Sequence, residues 1–87
     1  MDIIKLREGV KFRKEDFGGL IFDPKRAMIL EINKSGLCLL EILQKGSEKE
    51  KLMNKFDIAI QKDVSKFLEI LKKIDLIKEV DVDGKNV

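Results

Sequence analysis

Two spacings divide the chain. Between residues 9 and 32 apolar side chains alternate with polar ones at 9–17 and then fall in two short runs, and between 37 and 74 they recur every third or fourth. The first spacing belongs to strands half-buried on one face, the second to amphipathic helices. In "GVKFRKEDF" (9–17), Val10, Phe12 and Lys14 fall on one side and Lys11, Arg13 and Glu15 on the other, which predicts a strand. Gly18-Gly19 permits a bend or bulge, after which Leu20, Ile21 and Phe22 predict a second strand. Asp23-Pro24-Lys25-Arg26 has the residue order of a type I turn, Asp first and Pro second. The chain then returns from Ala27 to Ile32 as a third strand. Met28, Leu30 and Ile32 share one face of it and Ala27, Ile29 and Glu31 the other.

The helical spacing begins after Asn33 and Ser35, both helix-capping residue types. Leu37, Cys38, Leu39, Leu40, Ile42 and Leu43 give a broad apolar helix closed by Gly46. "SEKE" (47–50) reads as a capping box in which Ser47 and Glu50 satisfy each other's amides, opening a second helix to about Phe56. A third helix is expected from about Gln61, with Val64, Phe67, Leu68 and Leu71 on its buried side. The last stretch, "KEVDVDGKNV", is polar and alternating, a frayed end or a short strand. The expected fold is α+β: an N-terminal three-stranded antiparallel sheet followed by a three-helix bundle, βββααα. It forms one domain over residues 1–87, with a core at 7–77 and a polar tail at 78–87.

Composition narrows the function. Apolar residues are 44% and charged residues 39%, enough of the former for a packed core. Eighteen basic side chains face sixteen acidic ones, and they are interleaved: seven and six in residues 1–32, eleven and ten thereafter. A nucleic-acid footprint gathers its basic residues on one element, so this even mixture argues against such a partner. The single cysteine excludes an intrachain disulfide, and no apolar run reaches the roughly 18 residues of a membrane-spanning helix. A soluble cytoplasmic protein is expected, with no membrane partner.

An enzyme lacks its tools here. The chain has no histidine, so it has neither an ordinary neutral-pH general base nor an imidazole metal ligand. Cys38 has no histidine to activate it and is expected as a small core residue. The carboxylate pairs Glu48/Glu50 and Asp81/Asp83 sit in polar segments, where nothing would separate their pKa values. Gly18-Gly19 lacks the further glycines and the lysine of a phosphate loop. No catalysis, metal or cofactor is expected.

Binding surfaces remain. On a helical wheel Val64, Leu68 and Leu71 centre the buried face of the third helix, while Phe67, Ile70 and Ile74 spill onto one flank, with Asp63 and Lys66 beyond. The short connections force pairing of the first strand with the second and the second with the third, leaving the outer side of the third strand without an obvious partner except the tail. An edge strand normally defends itself with charge or proline, yet "AMILEI" carries only Glu31. Such an edge beside a greasy helix flank can take an extended peptide as an added strand.

The segments "VKFRKEDFGGLIFDPKRAMILEINKSGLCLLEILQKGS" and "DVSKFLEILKKIDLI" resemble the pyrroloquinoline-quinone biosynthesis protein D family, over roughly residues 7–77. "EDFGGLIFD" is similar to the peptide-binding chaperone of mycofactocin maturation. The resemblance implies a winged-helix-like domain that recognises the leader of a ribosomally made precursor peptide. The leader would bind as a strand beside the third β-strand, against the third helix, and be presented to a modifying enzyme, commonly a radical S-adenosylmethionine maturase. Carried onto this chain, the peptide-binding positions are Ala27, Met28, Ile29, Leu30 and Glu31, with Lys62, Lys66, Phe67 and Ile70 on the helix. Lys62 and Lys66 would meet acidic residues of a leader. Gly36 stands where the family commonly has a helix-favouring small residue, so the first helix is expected to start one residue later. Two other readings stand beside this one. The second and third helices can be read as a DNA-binding helix-turn-helix with Ser65, Glu69, Lys72 and Lys73 exposed, and the same edge permits a homodimer paired third strand to third strand.

Overall fold

Alternation at residues 11–32 does fold into a three-stranded antiparallel meander. A computed structural model describes residues 2–81. The meander comprises β2 (Lys11–Glu15), β3 (Gly18–Asp23) and β4 (Met28–Ile32), ordered β2-β3-β4. Two further strands bracket it in sequence: β1 (Ile3–Leu6) near the start of the chain and β6 (Ile77–Val80) after the last helix. They pair antiparallel, Ile3 with Val80 through Leu6 with Ile77, and β5 (Ser47–Glu48) joins the other side of β1. Three α-helices complete the fold of the described residues: α1 (Lys34–Lys45), α2 (Lys49–Met53) and α3 (Ile58–Lys73).

The architecture is α+β, as expected, but the order is not a plain βββααα, because strands also follow α1 and α3. The predicted third strand is β4. Gly18 and Gly19 form no bend; they are the first residues of β3, and Asp16-Phe17 make the turn. Gly18 has φ +146, and a Cβ there would overlap the Ile32 carbonyl and the backbone of Asn33. Glycine is therefore required because β4 turns into α1 directly against it. The Asp-Pro-Lys-Arg corner is a 3-10 turn, Pro24–Arg26, closed by Ala27 in the left-handed region at φ 51.

α1 fills the middle of the molecule. Leu37, Leu39, Leu40 and Leu43 are buried against Ile21, Leu52, Leu68 and Leu71. It starts at Lys34, not a residue later, because the Asn33 side chain accepts the Gly36 amide at 2.8 Å. Cys38 is not a core residue. It is exposed, since it lies opposite Gly36, Leu40 and Leu43 at 100° per residue. The Ser47–Glu50 capping box does not form either. Ser47 pairs with Ile4 across the β1–β5 ladder, its hydroxyl donates to the Glu48 carbonyl, and α2 ends at Met53. Tertiary pairing overrides the local cap.

Candidate functional site

Which main-chain groups of β4 are free follows from the two turns that precede it. The Asp16-Phe17 connection is two residues long, which makes its flanking pair, Glu15 and Gly18, a hydrogen-bonded one. By alternation Gly19, Ile21 and Asp23 turn their amides and carbonyls toward β4, opposite Ile32, Leu30 and Met28. The four-residue corner Pro24 to Ala27 closes on the Asp23–Met28 pair, in the same phase. Ile29 and Glu31 therefore direct their main-chain groups outward. Among the described residues no strand meets them, because β6 pairs with β1 rather than with β4.

The sheet has two such margins, and they differ. β2 carries charge at four of five positions, Lys11, Arg13, Lys14 and Glu15, with the Arg13 guanidinium 2.7 Å from Glu15 and stacked 5.6 Å over Phe22. β4 carries Glu31 alone, and Ile29 stands 63% exposed on it. One margin is protected against strand addition and the other is not.

β4 lies beside α3 in the opposite sense, fixed at two points. Where β4 begins, Arg26 donates through Nη2 to the Asp75 carbonyl just past α3 at 3.1 Å and through Nε to the buried Asp23 carboxylate at 2.7 Å. Arg7 reaches the Asp75 carboxylate from the β1 side at 2.7 Å. Where β4 ends, α3 meets the first turn of α1: a Cβ on Gly36 would sit 3.2 Å from the Phe67 ring. Glycine inside a helix costs about 0.5–1 kcal/mol relative to alanine, and here it gives the ring room.

A cleft of about 340 Å³ opens at this second point, between the end of β4, the first turn of α1 and the N-terminal half of α3. Ile32, Ile60, Val64 and Phe67 supply its apolar lining, and Glu31 of β4 and Asp63 of α3 line it as well. Neither carboxylate is in an ion pair among the described residues.

Of the expected peptide-contacting residues, the structure brings Glu31 and Phe67 together in this cleft. Ile29 lies on the open margin, and Met28 and Leu30 are half-buried on the core side of the same strand. Ala27 is not part of the strand, since its left-handed backbone caps the 3-10 turn. Ile70 is exposed one turn beyond Phe67, while Lys62 and Lys66 are exposed on α3 outside the cleft lining. The sequence reading missed Ile60, because it started the third helix at Gln61. The spacing Ile60, Val64, Phe67 is the i, i+4, i+7 signal that would have found it.

The face required by a helix-turn-helix is partly occupied. Lys72 is held by Glu79 of β6 at 3.1 Å, Ser65 is half-buried, and α2 is only five residues long. Among the described residues no group of three or more His, Cys, Asp or Glu side chains converges as a metal site, and no helix is long and apolar enough to cross a membrane. Comparison of the chain with family models, with curated proteins and with solved structures finds no match in any of the three.

Proposed function

We propose that the chain is a non-catalytic peptide-binding module. It captures the leader of a ribosomally made precursor peptide as a fourth strand on β4 and presents the rest to a modifying enzyme of the radical S-adenosylmethionine class. The observation that carries this reading is the asymmetry of the sheet: an undefended margin at β4, beside an apolar cleft floored by Phe67, opposite a charged margin at β2. An unpaired strand gives main-chain affinity for any extended peptide, and a pocket beside it selects side chains.

The DNA-binding alternative fares less well, because Glu69 stands on the face that would meet phosphates and Lys72 is already paired. Isotope-labelled protein titrated with the leader of a precursor peptide encoded beside its own gene separates the two. Amide shift changes confined to residues 28–33 and 60–70 are expected. Changes confined to the exposed positions of 65–73, produced by duplex DNA and fading steeply with salt, would replace this reading with the other.

A further inference from the structure

We infer that the peptide taken by this groove carries a lysine or arginine opposite Glu31 and an apolar side chain opposite Ile29, two residues away. The inference rests on the proposed strand addition and specifies what the added strand must contain. Ile29 and Glu31 are the two β4 residues whose main-chain groups face outward, so an added strand places one residue opposite each. Cross-strand neighbours stand about 4.5–5.5 Å apart at Cβ, close enough for each pair to be selected.

Ile29 is 63% exposed and its side chain gains from an apolar neighbour. Glu31 of β4 and Asp63 of α3 both line the cleft, and no lysine or arginine shares that lining. Neither carboxylate has an ion-pair partner among the described residues, so each is open to one. A peptide glutamate opposite Glu31 would set like charges side by side next to a lining that holds two carboxylates and no cation, whereas an ammonium or guanidinium there makes an opposite-charge cross-strand pair. Lys62 and Lys66 are exposed on α3 but outside the lining, so they do not neutralise the pair from within. The groove thus selects basic segments, the opposite of what those two lysines suggest when α3 is considered alone.

The test pans a displayed library of random dodecapeptides, in parallel, on the wild-type protein and on the Glu31→Gln/Asp63→Asn double variant, with circular dichroism confirming that both fold. Wild type is expected to enrich peptides with Lys or Arg two positions from an apolar residue, and the double variant to keep the apolar preference and lose the basic one. In fluorescence anisotropy, replacing the enriched basic residue by Glu weakens binding to wild type about tenfold, and to the double variant less than about twofold. Enriched apolar peptides with no basic preference on wild type, or a basic preference that survives on the double variant, would overturn this inference and leave strand addition standing. No enrichment on either protein, or self-association through β4 that excludes every peptide, would overturn both.

Discussion

Ile29 and Leu30 are adjacent and similar in chemistry, yet the register gives them opposite duties. The amide of Ile29 faces the open margin and that of Leu30 faces Ile21 on β3. Ile29→Pro is therefore expected to fold with a melting temperature close to wild type and to lose about tenfold or more in peptide affinity, because it removes one outward donor and sets a ring against the incoming strand. Leu30→Pro breaks a ladder bond inside the sheet and is expected to cost about 3 kcal/mol, read as a large drop in melting temperature. Equal stability of the two variants would show that the phase of β4 is wrong. At this scale the sequence was informative about faces and less so about environments. The alternation of Met28, Leu30 and Ile32 against Ile29 and Glu31 was visible, as were Val64, Leu68 and Leu71. Cys38 was misplaced, because its apolar character was weighed without its angular position on α1.

Between elements, the groove has its spacing set by contacts outside it. Arg26 holds the start of β4 to the end of α3 through the Asp75 carbonyl while neutralising Asp23, the one buried charged side chain among the described residues. Arg26 is itself 44% exposed, so its loss is discounted for solvent: Arg26→Gln is expected to lower stability by about 1–2 kcal/mol in urea unfolding. It should also weaken peptide binding, although Arg26 stands outside the cleft lining. Unchanged stability and affinity would mean that the turn and helix end need no such tie. None of this was legible beforehand, since Asp75 lies 49 residues from Arg26 and nothing local connects them. The β1–β6 pairing escaped for the same reason. "IIKL" is a weak strand signal alone, and its partner follows α3 at the far end of the chain. The β1–β5 ladder took Ser47 from the capping box that its neighbourhood in sequence favoured.

For the whole molecule, the proposed function depends on the pairing of β6 with β1, which puts the last described strand on the far sheet and leaves the β4 margin unpaired among the described residues. The sequence could state that β4 had no obvious neighbour except the tail, but only the fold could say that the tail's strand, β6, went to β1. Residue-resolved amide exchange along β4, free and with an enriched dodecapeptide bound, tests this most directly. In the free monomer Met28, Leu30 and Ile32 should exchange slowly and Ile29 and Glu31 fast, and the peptide should slow the latter two while changing the former little. Ile29 and Glu31 amides already protected in the free monomer, or left fast when the peptide is bound, would contradict strand addition at β4.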